Sequence, residues 1–195
     1  IIITLGTSWV YRHIASDATV ANCHKFPQKQ FLKELLSVDQ ITESLEATVS
    51  LVRNINPKVN FIFTVSPVRH LKDGFIENTQ SKSHLIAAIH NIVEPRKQDY
   101  YFPSYEIMMD ELRDYRFYNS DMLHPNNVAV NYIWDKFKAV WFSEEALKTL
   151  ETVSSIQSKK AHRPFNSSSH AHQQFLTKLQ LEIDELRTKY PNISF

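Results

Sequence analysis

Two short apolar runs constrain this chain more than any other feature. Residues 1–5 carry Ile1, Ile2, Ile3 and Leu5, and residues 60–65 carry Phe61, Ile62, Phe63 and Val65, apolar at consecutive rather than alternate positions. Successive side chains of a strand point to opposite faces, so such a run suits a sheet covered on both sides, which is the setting of a parallel sheet. The intervening segments have helical spacing. Ser37 and Gln40 form an S-x-x-Q capping box, Ile41, Leu45, Thr48, Val52 and Ile55 recur behind it, and Pro57 stops the pattern. Leu85, Ile86, Ile89, Ile92 and Val93 mark another helix, closed near Pro95. Residues 100–102 suit a third strand, and 105–112 a short helix with Ile107, Met108 and Leu112 on its apolar side. Pro125 or Asn126 opens a longer helix through Val130, Ile133, Phe137, Val140 and Trp141. The order β-α-β-α-β-α predicts an α/β fold, a three-layer α/β/α doubly wound parallel sheet. Because the chain opens in mid-strand on Ile1, the sheet is expected to be N-terminally incomplete, with residues 7–36 read as a loop containing Pro27.

The character changes after this domain. Residues 1–143 are taken as the α/β domain and 144–172 as a polar linker rich in Ser, Gln, Lys and His. Residues 173–195 are expected to form an amphipathic C-terminal helix, with Leu176, Leu179, Ile183, Leu186 and Tyr190 as a narrow stripe. Such a stripe either docks on its own domain or pairs with a partner, docking being preferred, and the oligomeric state stays open.

Bulk properties narrow the partners. A formal net charge of +1 predicts no bulk attraction to nucleic acid or to an anionic membrane. No apolar stretch is long enough to span a bilayer. Only Gly6 and Gly74 are glycines, which counts against a phosphate-binding loop and so against nucleotide binding. The single cysteine, Cys23, cannot form an internal disulfide, and no Cys/His spacing suggests a metal site. No signal segment is visible, so the compartment is taken as cytoplasmic by default, any targeting segment lying upstream.

The segment with the clearest chemistry is Asn119-Ser120-Asp121-Met122-Leu123-His124-Pro125. An aspartate and a histidine three apart on a tight pre-helical loop can face one cavity. Ester chemistry needs a base for a hydroxyl proton and a carboxylate to hold the imidazole in the right tautomer. The second segment is Thr4-Leu5-Gly6-Thr7-Ser8-Trp9, in which a buried strand delivers Gly6 at its end, either as a plain turn or as a close approach to a ligand.

The D-x-x-H-P turn before a final helix resembles the last block of SGNH-type (GDSL-like) hydrolases, and Gly6-Thr7-Ser8-Trp9 is similar to their G-x-N-D block, with Ser8 and Trp9 where that block has Asn and Asp. Asn22-Cys23-His24-Lys25, Thr64-Val65-Ser66-Pro67-Val68-Arg69-His70, Tyr101-Phe102-Pro103-Ser104-Tyr105-Glu106 and Asp114-Tyr115-Arg116-Phe117-Tyr118 complete a series that resembles the GSCFA family over residues 1 to about 141. The resemblance implies an acyl esterase, acting on a small-molecule or acylated carbohydrate ester, or an acyltransferase using the same triad. Asp121 and His124 are its expected catalytic pair. The family's Gly-Ser-Cys-Phe-Ala segment, whose serine corresponds to the SGNH nucleophile, does not occur here, so the nucleophile is expected from a missing N-terminal segment and this fragment is expected to be inactive. Ser8, Ser66, Ser120 and Cys23 are poorer stand-ins. Gly6, Ser8, Asn22, His24, Arg69 and His70 are the expected oxyanion and substrate-binding residues. Lys25 and Lys82 are further cations near strand ends, where α/β pockets open. Arg69 has an alternative in pairing with Asp110 or Asp114. No metal and no cofactor are expected. The alternative to catalysis is a degenerate SGNH-fold module that binds carbohydrate or a protein partner.

Overall fold

The computed structural model describes residues 1–195 except 21, 24, 167 and 168. In chain order the elements are β1 (Ile2–Leu5), β2 (Trp9–His13), β3 (Ala18–Val20), β4 (Phe31–Leu35), α1 (Val38–Ile55), β5 (Phe61–Val65), α2 (Phe75–Ile92), β6 (Asp99–Phe102), α3 (Ser104–Glu106), α4 (Asn127–Trp141), α5 (Glu144–Ala161) and α6 (His170–Lys189). The chain forms two compact units, Ile1–Lys136 and Phe137–Phe195.

The first unit is α/β, in keeping with a three-layer α/β/α architecture. Its parallel sheet has the order β1-β5-β6. Strands laid down in one direction by right-handed crossovers put their helices on one face. Accordingly α1 and α2 share the side lined by Phe61, Phe63 and Val65, with Ile41 and Leu45 from α1 and Leu85, Ala88 and Ile89 from α2 in one buried cluster. On the opposite face, Thr64 bonds the Ser104 hydroxyl at 2.6 Å, and Ser104 donates to the Val65 carbonyl at 2.7 Å, which fixes α3 there. From Ile107 to Glu111 that helix widens into a π turn burying Ile107 and Met108.

The central strand β5 is buried as expected. At the sheet edge β1 is more open, and Ile2 is 55% exposed. The Ser37–Gln40 capping box forms as read. Near the other end of α1, Arg53 grips the buried carboxylate of Asp99 through two nitrogens, at 3.0 and 2.8 Å, tying helix to strand.

Three readings are revised. Residues 7–36 are not simply a loop: β2 pairs antiparallel with β3 and β4 in a second sheet, with Arg12 and Glu34 joined at 2.8 Å. The turn between β2 and β3 contains no glycine, and Asp17 takes the left-handed conformation at φ 50°, so the usual hairpin signal is missing. Helix α2 starts at Phe75, ten residues before its apolar stripe, because its first half buries Asn78, Ser81 and Lys82 instead of aliphatic groups. Residues 144–161, expected as linker, are the helix α5. Ser143 caps it, Glu144 and Glu145 occupy its first turn, and Lys159 and Lys160 its last, all favourable to the helix dipole.

In the second unit α5 and α6 run antiparallel. Ile156 of α5 packs with Leu179, Ile183 and Leu186 of α6, so most of the apolar stripe is buried against the preceding helix, while Leu176 stays 43% exposed. Lys159–Glu182 and Lys189–Glu145 pairs flank it.

Candidate functional site

The Asp121–His124 turn is closed on itself by its own backbone. Tyr118 and Pro125 form an isolated antiparallel bridge, Asn119 N–H donates to His124 O at 2.8 Å, and Asn126 N–H donates to Phe117 O at 2.9 Å. Asn126 then caps α4, accepting from the N–H groups of Val128 and Ala129. Closing so short a loop places Met122 in the left-handed region at φ 58°. Within it, Asp121 Oδ2 lies 2.7 Å from His124 Nδ1, while Oδ1 accepts the backbone N–H groups of Leu123 at 2.8 Å and His124 at 3.0 Å. These bonds, backbone ones foremost, pull the Asp121 carboxyl down to about 2. The two side chains are 44% and 55% exposed, and Nε2 of His124 has no hydrogen-bond partner among the described residues. The arrangement can hold one imidazole tautomer, with its second nitrogen presented outward.

The turn is joined to the carboxyl ends of β1 and β5. Arg69 N–H donates to Leu123 O at 3.2 Å. The next residue, His70, is anchored by its N–H on Asn78 Oδ1 at 2.9 Å, and its Nε2 lies 3.4 Å from where a side chain on Gly6 would begin. An alanine at position 6 would just touch that ring, and a longer side chain would press on it. Burial, then the nearby Lys82 and His124, hold His70 below its ordinary pKa against the opposing pull of Asp73. His70 is therefore the neutral imidazole at physiological pH.

Lys82, 1% exposed, spans the same strand ends. Its ammonium donates to Gly6 O and Ser66 O, each at 2.7 Å. Burial lowers its pKa to about 8. The ammonium thus holds the Gly6 carbonyl, and it lies 5.8 Å from the centre of the Tyr105 ring.

Arg69 stacks on Tyr118 at 4.2 Å and reaches Tyr115 at 5.3 Å, rather than pairing with either acid expected as its alternative partner. Asp110 pairs with Arg113, and Asp114 accepts from the Arg116 N–H. Burial raises the phenols of Tyr105 and Tyr118.

Gly6, Arg69, His70, Asp121 and His124 are therefore brought together, with Lys82. The other residues read from the sequence sit differently. Ser8 is 1% exposed, its N–H and hydroxyl both bonded to Ser81, so it holds β1 to α2 instead of facing the turn. Trp9 bonds Glu77 O through its indole N–H. Asn22 lines a shallow cavity of about 270 Å³ with His13, Cys23, Phe26 and Phe31, away from the residues above. His24 lies outside the described residues. Lys25 is exposed, with φ 66°. The reading from sequence missed Asn78 and Ser81, whose only signal is a polar residue on the inward side of a helix. No cluster of His, Cys, Asp and Glu able to hold a metal ion occurs among the described residues, and none of their helices is long and apolar enough to cross a membrane.

A parallel sheet with an aspartate–histidine pair on the turn before a late helix defines an α/β protein with its candidate site at the carboxyl ends of the strands. Residues 1–137 match the family model described as the GSCFA family, and residues 153–195 match the one described as the GSCFA domain protein, C-terminal domain. The chain belongs to the GSCFA family. No curated protein and no solved structure matches it.

Proposed function

We propose that the protein is an SGNH-type acyl-ester hydrolase, or an acyltransferase with the same triad, acting on a small-molecule or carbohydrate ester. Asp121 orients His124, and His124 takes the proton from an attacking serine and returns it to the leaving alkoxide. The observation that carries the reading is the 2.7 Å contact from Asp121 to Nδ1 of an imidazole whose Nε2 is open. The serine would be that of a Gly-Ser-Cys-Phe-Ala segment, which is not part of these 195 residues. Gly6, whose carbonyl accepts from Lys82, supplies its own N–H toward the developing oxyanion.

Turnover of p-nitrophenyl acetate and labelling by a fluorophosphonate probe test this in the full-length protein. Both are expected in the wild type and lost in His124→Ala; full labelling of that variant would sink the role of His124.

The second reading, a degenerate module that binds carbohydrate or a protein partner, is favoured by Ser8, which stands where an asparagine amide is expected and has its hydroxyl bonded inward to Ser81. Ester turnover that depends on His124 eliminates it.

A further inference from the structure

The guanidinium of Arg69 is held in place without being satisfied. It sits 4.2 Å from the Tyr118 ring centre and 5.3 Å from that of Tyr115, a stacked geometry that fixes its plane. Among the described residues its side-chain hydrogen bonds run from Nη1 to Tyr115 Oη and Met122 O, both at 3.5 Å, the outer limit for such a bond. Nε and Nη2 have no hydrogen-bond partner among the described residues, and no carboxylate among them pairs with the guanidinium. Both oxygens of Asp121, on the turn to which Arg69 is bonded, already serve Leu123 and His124.

A second, independent observation lies beneath it. Tyr118 is 6% exposed, and among the described residues its buried hydroxyl has no hydrogen-bond partner of ordinary geometry, the Arg69 guanidinium being the charged group beside it. A buried polar group left unmade is costly, and such groups in folded proteins usually mark a place completed by something else. Burial keeps this phenol protonated, so it is a donor. A planar fork of N–H groups beside a phenolic donor suits an anionic oxygen group.

We propose that Arg69 and Tyr118 form an anion-recognition subsite next to His124, and that the ester handled there carries a carboxylate or phosphoryl group of its own. The identification of the bound molecule as an ester rests on the proposed function; the anion site does not. The subsite adjoins the dyad in space though far from it in sequence: the Arg69 N–H donates to the carbonyl of Leu123, the residue directly before His124. Bound there, the anionic end of a substrate would anchor it, leaving a neutral ester carbonyl to the side of His124 and Gly6.

Calorimetric titration of the full-length protein with inorganic phosphate, with glutarate, and with neutral glutaramide tests the subsite. Binding of phosphate identifies a phosphoryl site, binding of glutarate a carboxylate site, and either supports the proposal if glutaramide is inert. Arg69→Gln is expected to weaken the preferred anion by about tenfold or more, as loss of a charged hydrogen bond implies. Tyr118→Phe, which keeps the stacked ring, is expected to weaken it by several-fold, and His124→Ala to leave it nearly unchanged. Equal binding of the amide, or unaltered anion affinity in both folded Arg69→Gln and Tyr118→Phe, overturns the proposal. Anion binding without ester turnover sustains the subsite while striking the esterase reading, and turnover without anion binding does the reverse.

Discussion

Asp121 holds His124 twice, through the ring at Nδ1 and through the backbone N–H, with one carboxylate oxygen for each. Orientation of the imidazole is thus coupled to the shape of the turn itself. In Asp121→Asn, the amide oxygen still accepts from the backbone, but the amide nitrogen now donates to Nδ1 and drives the ring proton to Nε2. The turn should keep its shape while the base is lost. Ester turnover in the full-length protein is expected to fall by roughly 10⁴, the size of this change in other triads, with secondary structure unchanged by circular dichroism.

The depressed Asp121 carboxyl has a consequence for acid stability. Its pKa in the fold, about 2, lies below its ordinary 3.8, so the unfolded chain binds the proton first. The contribution is present above about pH 4 and is lost as pH falls through 2. Urea midpoints of wild type and Asp121→Ala should therefore differ at pH 6 and converge toward pH 2; a gap that persists at pH 2 would remove the carboxylate as its cause.

Lys82 gives the opposite dependence. Its pKa in the fold is about 8 against an ordinary 10.5, so in that interval the unfolded chain carries more protons and stability from this group rises with pH. Lys82→Met is expected to abolish that slope. It should also cost about 1–3 kcal/mol near neutrality, since Gly6 O and Ser66 O lose their shared donor. Chemical denaturation of both proteins at pH 7 and 10.5 reads both effects.

The two glycines predict different failures. At Gly74, φ is +114° and a Cβ would fall 2.3 Å from Glu77 Oε2. Gly74→Ala is expected to cost about 1–3 kcal/mol, chiefly through backbone strain, as a lowered melting temperature. At Gly6 the added Cβ would meet only His70 Nε2, at 3.4 Å. Gly6→Ala should melt close to wild type, since 3.4 Å is ordinary van der Waals contact, whereas a larger side chain, as in Gly6→Val, should displace the ring and impair ester turnover.

In the second unit, Ile156 is fully buried between α5 and α6. Ile156→Ala is expected to destabilise this helical pair by about 2–5 kcal/mol. Hydrogen exchange should quicken in α6, while amides of β5 keep their protection if the two units unfold separately.

Much of the fold was legible because its signals are local. The apolar run of β5, the Ser37–Gln40 capping box and the short helical turn read over 105–112 each lie within a few residues of chain, although the π widening of that turn was not legible. The antiparallel sheet was not read, although Trp9, Val10 and Tyr11 are good strand residues, because the β2–β3 turn uses Asp17 where glycine is the recognisable signal. The start of α2 was missed because its inward groups are Asn78, Ser81 and Lys82, which carry no apolar period. Helix α5 was missed because its polar composition outweighed its caps and terminal charges.

The sequence by itself determined the α/β class, the family, and the pairing of Asp121 with His124, since these depend on periodicity, on ordered motifs and on a three-residue spacing. Only the tertiary structure decided which distant residues join that pair. It brought Arg69, His70, Lys82 and Gly6 to one sheet end, turned Ser8 inward to Ser81, and left the Tyr118 hydroxyl, next to Arg69, without a partner of ordinary geometry among the described residues. The physical reason is that burial and hydrogen-bond satisfaction belong to contacts between segments far apart in the chain, and no local pattern specifies which polar group will be met and which left open.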